Sequence, residues 1–483
     1  MKIPLDRYST EPVYLQIRDR MRRLIRTGAL QPGDRLPSIR MMAENAQVNK
    51  LTVIEAYSVL EADGLIHARP GSGYFVNEET IPTPKTNPTF APQQDVMIPN
   101  GERVSFFDIY TASMQARHQG DILDLSSGFG CAQATGLEDL QRIARRAVKE
   151  VADSLFHYDF PQGQIQLRKQ IAQLMMQQGL AISSDNLIIT NGSMQGVSLG
   201  LRHYAQQGDW VIVETPTYHG ALAVLQELGA RTIGIPMTNE GMNLTLLEQY
   251  LHSHRPKLIY TISTLHNPTG ITTSIAHRKK LLDLANRYNC HILEDNAYEG
   301  LSFEAVPPPI KAFDKTDSVT YVGTFSKTLM PGLRVGYMVV TGDHYQPLLE
   351  RKLLRDLNVS TVSQAIVSEY LASGHYRRHL SHLRSHYLRG RNLMLQALEQ
   401  YFPAEATWTV PNGGLFLWVK LPDAVPIQEI CREAFNHKVL VNSGSAFFPN
   451  QQGYPALRLN FTLPAEEIDR GIAILGKLIK ACL

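Results

Sequence analysis

Apolar residues fall into two different rhythms along this chain. Near the start, Val13, Leu15, Ile17, Met21, Leu24 and Ile25 recur at helical spacing among arginines, which predicts an amphipathic helix over 13–25 closed by Gly28. Gln31-Pro32-Gly33-Asp34 is a turn. Ser38 is placed to cap a short helix ending near Asn45, and Asn49 to cap a third helix from Lys50 to about Ala62. Leu65–Arg69 and Tyr74–Val76 flank a glycine-rich tip, Pro70-Gly71-Ser72-Gly73, and read as a two-stranded wing. Three helices and a wing make a winged helix-turn-helix over residues 1–77.

The rhythm changes further on. Short continuous apolar runs stand at 186–190, 211–214, 258–262, 291–294, 318–322 and 335–340, the pattern of buried strands in a mostly parallel sheet. A long helix rich in Arg, Leu and His is expected over 381–401. Gly413–Trp418 and Leu457–Phe461 suggest a second, smaller α/β domain. Between the two regimes, residues 78–120 carry Pro82, Pro84, Pro88, Pro92 and Pro99 among polar residues, which predicts a partly extended linker. The later part of that segment, 104–116, is apolar enough to form a helix that docks on the body beginning near Asp121.

Composition narrows this picture only modestly. A chain of 483 residues should form two or three domains, and 43% hydrophobic with 19% charged residues suits a soluble globular protein. No apolar run reaches membrane-spanning length, and the first ten residues lack the apolar centre of a signal peptide. The four cysteines, Cys131, Cys290, Cys431 and Cys482, show no paired spacing. A reducing, cytoplasmic setting without a metal site is expected. The net charge is +2, but residues 1–77 carry 11 Lys/Arg and 8 Asp/Glu, so 11 − 8 = +3 there. That surplus is compatible with a dimer pooling two basic units on a polyanion.

The candidate chemistry lies where the apolar runs end. Lys327 follows one such run among small hydroxylated residues, Thr324 and Ser326, with Arg334 shortly after. Desolvation there would favour a neutral amine able to condense with an aldehyde, and Arg334 with the hydroxyls would suit a phosphate. Other run ends offer Asn191-Gly192-Ser193-Met194, a helix start whose free N–H groups cradle anions, then Tyr218, Asn267, and Asp295 with Tyr298. Asn267-Pro268-Thr269-Gly270 alone is an ordinary turn; the order of all the parts carries the reading. In open α/β sheets ligands sit at such carboxyl ends. The set suits an electron-sink cofactor with a phosphate, an aromatic ring and an aldehyde.

From about Asp121 onward the chain resembles fold-type I pyridoxal-phosphate enzymes of the aminotransferase kind. The resemblance implies pyridoxal 5'-phosphate held as a Schiff base on Lys327, with Asp295 on the pyridine nitrogen. Asn267 and Tyr298 would bond the phenolic oxygen, and Tyr218 would stack on the ring. Gly192, Ser193, Met194, Ser326 and Arg334 would hold the phosphate. Arg458, in Leu457-Arg458-Leu459-Asn460-Phe461, matches an arginine that takes a substrate carboxylate, and Tyr158 a tyrosine reaching the partner subunit's phosphate.

Residues 1–77 resemble the GntR class of DNA-binding domains through Pro32-Gly33-Asp34-Arg35-Leu36-Pro37-Ser38 and Gly71-Ser72-Gly73-Tyr74. By that resemblance Lys50–Ala62 is the recognition helix, with Asn49, Lys50 and Thr52 towards the major groove. Arg35, Arg40, Arg69 and Gly71 would hold the backbone or minor groove. The chain departs from the family where Gln47 stands for a common glycine and Asn49-Lys50 for Ser-Arg. The fusion resembles the MocR family of bacterial transcriptional regulators along essentially its whole length, as 1–77 reader, 78–120 linker and 121–483 effector domain. It implies a homodimer on a double-stranded operator, each reader packed on the other subunit's body. An amino acid or amine effector would act by displacing Lys327 from the cofactor. An active aminotransferase carrying a DNA-binding arm, or a sensor of the cofactor itself, are the alternatives.

Overall fold

The computed structural model describes residues 12–26, 30–31, 33–69, 72–77, 106–119, 122–130, 137–451 and 453–483. The proline-bearing stretch 78–105 and the wing residues Pro70 and Gly71 lie outside them.

The N-terminal unit comprises α1 (Val13–Arg26), α2 (Ile39–Ala46), α3 (Lys50–Ala62) and an antiparallel wing, β1 (Ile66–Arg69) with β2 (Gly73–Val76). Local chemistry sets its boundaries. Ser38 accepts a bond from the Met41 N–H to start α2, and Asn49 accepts one from the Leu51 N–H to start α3. Gln47 ends α2 in the left-handed region at φ 53°. Ile17, Met21, Met42, Val53, Tyr57 and Leu60 close a small core of its own.

The body opens with α4 (Phe106–Gln119), β3 (Leu123–Asp124), α5 (Leu137–Glu150) and α6 (Ile165–Gln177). Then follow β4 (Leu187–Asn191), α7 (Ser193–Tyr204), β5 (Trp210–Thr215), α8 (His219–Leu228), β6 (Arg231–Thr238), β7 (Gly241–Met242), α9 (Leu244–His254), β8 (Leu258–Thr261), α10 (Ile275–Arg287), β9 (His291–Asp295), β10 (Val319–Thr324) and β11 (Val335–Val339). These strands form one eight-stranded sheet ordered β4-β11-β10-β9-β8-β5-β6-β7. The centre, β10-β9-β8-β5-β6, is parallel, while β11 runs antiparallel to both its neighbours. Strand alternation divides the core. Ile212, Ile259, Ile292 and Val319 face α9 and α10, whereas Val211, Val213, Leu258, Tyr260 and Leu293 face α7 and α8. A sheet covered on both faces explains the unbroken apolar runs.

The remainder comprises α11 (Tyr345–Asp356), α12 (Thr361–Ala372), α13 (His375–Tyr401), β12 (Thr407–Trp408), β13 (Phe416–Lys420), α14 (Ile427–Asn436), β14 (Val439–Leu440), β15 (Asn442–Ser443), β16 (Ala456–Asn460) and α15 (Ala465–Lys480). A four-stranded sheet, β12-β13-β16-β15, builds the smaller lobe. The long helix α13 begins six residues earlier than the sequence pattern suggests, at His375 rather than Ser381.

The N-terminal unit docks on α13 of its own chain. Ser381 donates to Glu55 at 3.1 Å, Asn392 donates to the Ala62 carbonyl at 2.8 Å, and Ala62 joins the body's core. Helix α3 thus meets α13 within one chain.

Candidate active and effector site

The carboxyl ends of the parallel strands converge on a cavity of about 580 Å³ between the two lobes. Lys327, Asp295, Asn267, Tyr298, Tyr218, Ser193, Met194, Ser326, Arg334 and Arg458 all line it. β10 delivers Lys327, whose Nζ donates to the Gly128 carbonyl at 2.7 Å. Its pKa falls from 10.5 to about 8, chiefly through burial and then through the positive charges of Arg458 and Arg334. At the end of β9, Asp295 accepts from the Tyr260 hydroxyl at 2.8 Å on one carboxylate oxygen. The other, Oδ1, is buried without a partner. Burial raises this carboxyl to about 6, against the opposing Tyr260 bond.

The anion end is built from backbone. Gly192 takes φ 74° to turn β4 into α7, and a Cβ there would stand 2.3 Å from the Arg334 guanidinium. Arg334 donates to the Asn191 carbonyl at 2.9 Å and to Ser326 Oγ at 3.3 Å, so the guanidinium and the α7 N-terminus face one spot. Asn191 and Gln195 in turn both donate to Asp356 at the end of α11, at 2.7 and 2.9 Å.

Arg458 reaches the opposite end from β16. Its Nη1 donates to Asn267 Oδ1 at 3.0 Å, its Nη2 to the Ser126 carbonyl at 2.7 Å, and its Nε is buried without a partner. The guanidinium lies over both the Phe416 ring, 4.0 Å from its centroid, and the Phe447 ring, 4.8 Å from its centroid. Asn267 Nδ2 donates to the Tyr298 oxygen at 3.3 Å, and the Tyr218 hydroxyl to Met194 Sδ at 3.7 Å. Tyr158 lies outside the cavity and is 84% exposed, beside Phe156 at 86% and Phe160 at 71%.

A class I and II aminotransferase model matches residues 120–475, and a model of bacterial regulatory proteins of the gntR family matches residues 13–76. An uncharacterized HTH-type transcriptional regulator of Bacillus subtilis (strain 168) is 32% identical across 97% of this chain and 96% of its own length. The chain belongs to the MocR family.

This MocR protein is a transcriptional regulator: a GntR helix-turn-helix fused to a body of the fold-type I aminotransferase fold. The body alone has enzyme relatives. Aromatic-amino-acid aminotransferase 1 of Thermococcus litoralis is 34% identical over 74% of this chain and 88% of its own. The solved α-aminoadipate aminotransferase of Thermus thermophilus, complexed with N-(5'-phosphopyridoxyl)-L-leucine, matches 78% of this chain and 99% of its own. Its TM-score is 0.71 and its identity 29%.

On the MocR reader, Lys50, Leu51 and Ile54 are exposed along α3, while Thr52 is half-buried. Asn49 spends its side-chain oxygen on the helix cap. Arg40 pairs with Glu44 at 3.0 Å, Arg35 lies against Gly73 of the wing, and Arg69 packs 4.6 Å over Phe75. Gly71 is outside the described residues.

Several cavity residues escape sequence reasoning. Ile109, Tyr110, Ser113 and Met114 come from α4, inside the segment read as linker; Ser126 to Phe129 and His219 also line the wall. The only sequence signals were the apolar stretch over 104–116 and the Ser-Ser-Gly cluster after Leu125. Burial holds His219 neutral, with its pKa near 3. Among the described residues no group of His, Cys, Asp and Glu could hold a metal ion, and no helix is long and apolar enough to cross a membrane.

Proposed function

We propose that this regulator binds pyridoxal 5'-phosphate at Lys327, senses a small carboxylate-bearing amine in the same cavity, and transmits its presence to operator affinity. The observation that carries the reading is one cavity joining a partly neutral lysine, an orphan carboxylate oxygen on Asp295 and an orphan Nε on Arg458. The orphan Asp295 oxygen fits a pyridine N–H, and the Gly192 cradle with Arg334 fits a phosphate. The solved relative holding a phosphopyridoxyl group further supports the fit. When bound, the cofactor supplies an aldehyde that condenses reversibly with primary amines and a ring that withdraws electrons.

This chain's residues then have distinct tasks. Lys327, with a pKa near 8, offers a neutral amine at modestly alkaline pH and accepts a proton when displaced. Asp295 would hold a proton on the ring nitrogen, and Tyr260 keeps that carboxylate in place. Asn267 and Tyr298, already hydrogen-bonded to each other, would hold the ring oxygen, and the Tyr218 ring would cover one face. Arg458 orients an incoming carboxylate through its unused N–H.

An effector shifts operator affinity only through unequal affinity for the two states of the molecule. The exposed aromatics Phe156, Tyr158 and Phe160 support a homodimer, in which Tyr158 reaches the partner's phosphate site. Lys50 and its neighbours on α3 would then meet two half-sites of DNA. A screen of amino acids and amines for spectral change of the loaded protein, repeated for operator affinity, tests this. A compound altering both supports it; a compound library altering neither opposes it.

Transamination is the second reading, favoured by the complete lysine, aspartate and arginine set and by the aromatic-amino-acid aminotransferase relative. Steady keto-acid production from an amino acid distinguishes it from sensing without turnover.

A further inference from the structure

We infer that Leu51, in the first turn of α3, is a specificity-determining residue that reads the methyl group of a thymine in the major groove of the operator, with Ile54 extending the same apolar contact. The inference rests on the proposed placing of α3 on DNA and refines it from the groove to a base.

The argument begins with the faces of the helix. At about 100° per residue, Val53, Ala56, Tyr57 and Leu60 share one side of α3, and all four are buried in the reader's own core. A second side meets the body through the later turns, where Glu55 accepts from Ser381 at 3.1 Å and the Ala62 carbonyl accepts from Asn392 at 2.8 Å. Lys50, Leu51 and Ile54 fall on the third side, at the start of the helix. Leu51 is 68% exposed and Ile54 39%. Neither packing within the reader nor docking on α13 uses them.

A single exposed leucine is ordinary on a protein surface. Two apolar side chains three residues apart, at the end of the helix that a helix-turn-helix points at base edges, call for a partner. Charge selects DNA over an apolar protein surface. Exposed Lys50 stands beside them, and the reader as a whole carries a surplus of basic residues. Phosphate contacts of that kind position a protein, whereas base edges supply specificity. In the major groove the apolar feature of a base edge is the C5 methyl of thymine. Leu51 has no donor or acceptor, so any other base edge against it would bury polar atoms without bonds. Its polar neighbour is committed elsewhere: Asn49 Oδ1, half of the amide fork that pairs with adenine, accepts from the Leu51 N–H at 3.0 Å.

The test uses the full-length protein and a pool of duplexes randomised over about three helical turns. The tightest binder selected from the pool is resynthesised with deoxyuridine in place of thymidine, one position at a time, which removes a methyl group and no hydrogen-bonding atom. At one or more positions the native protein should lose affinity by at least ~threefold, the effect of exposing one buried methyl. Leu51→Ala should bind the thymidine and deoxyuridine duplexes alike at that position, while Leu51→Met, which keeps an apolar side chain, should retain the penalty. Lys50→Ala should weaken both duplexes equally. A selected duplex in which every such replacement is tolerated overturns the inference while DNA reading by α3 stands. A penalty that persists in Leu51→Ala also overturns it, because the methyl then acts through DNA shape or another residue. Failure of Lys50→Ala to weaken either duplex overturns the placing of α3 as well.

Discussion

Lys327 shows how one residue's surroundings set its chemistry. Its folded pKa, near 8, lies below the ordinary 10.5, so the folded chain holds fewer protons than the unfolded one between those values. Stability of the cofactor-free protein should rise with pH across that window, and the cost of burying the ammonium is present in full below about 8. Lys327→Met should therefore raise the melting temperature of the cofactor-free protein at pH 7, on the order of 2 °C. The gain should fade above about pH 10, as calorimetry on both proteins can show. Cofactor uptake by the native protein should accelerate up to about pH 8 and then level off. Lys327 and Asp295 could be picked out in the sequence because each follows a short apolar run, and Arg334 because it opens the next one. Ser126 and Met114 could not be, because only the tertiary fold brings their segments to the strand ends.

At the scale of elements, caps and turns decide what is local and what is not. Ser38 and Asn49 announced the helix starts in the sequence because a cap needs only its own next residues. Helix α4 has no such signature, and its cavity face became visible only in the folded molecule. Gln47 sits at φ 53° where a side chain is disfavoured. Gln47→Gly should stabilise the reader by about 1 kcal/mol, measurable as an upward shift of its unfolding midpoint; a downward shift would show that the side chain anchors the turn. Gly192→Ala places a methyl 2.3 Å from the Arg334 guanidinium, in a backbone region that favours glycine. Its affinity for pyridoxal phosphate should fall at least ~tenfold, as equilibrium dialysis would register, since the phosphate loses charge-assisted bonds. Lys50→Ala, at the exposed start of α3, should weaken operator binding and lower the salt slope by about 1, with cofactor binding unchanged. Equal operator affinity at low salt would place DNA recognition on another element.

For the whole molecule, the two domain types were readable from the change in apolar rhythm, and the sheet from its unbroken runs. The docking of α3 on α13 was not readable, since Glu55, Ser381 and Asn392 are ordinary surface types until they meet. That contact sets the reader against the body containing the cavity, while Lys50, Leu51 and Ile54 stay exposed. The proposed control of the operator requires that the cavity hold an aldehyde on its lysine. Borohydride reduction of the full-length protein after incubation with pyridoxal phosphate, followed by peptide mass mapping, measures this directly. The account predicts a yellow protein labelled on the peptide containing Lys327, and no such label in Lys327→Ala. A colourless protein, or equal labelling of other lysines in native and Lys327→Ala protein, would contradict it.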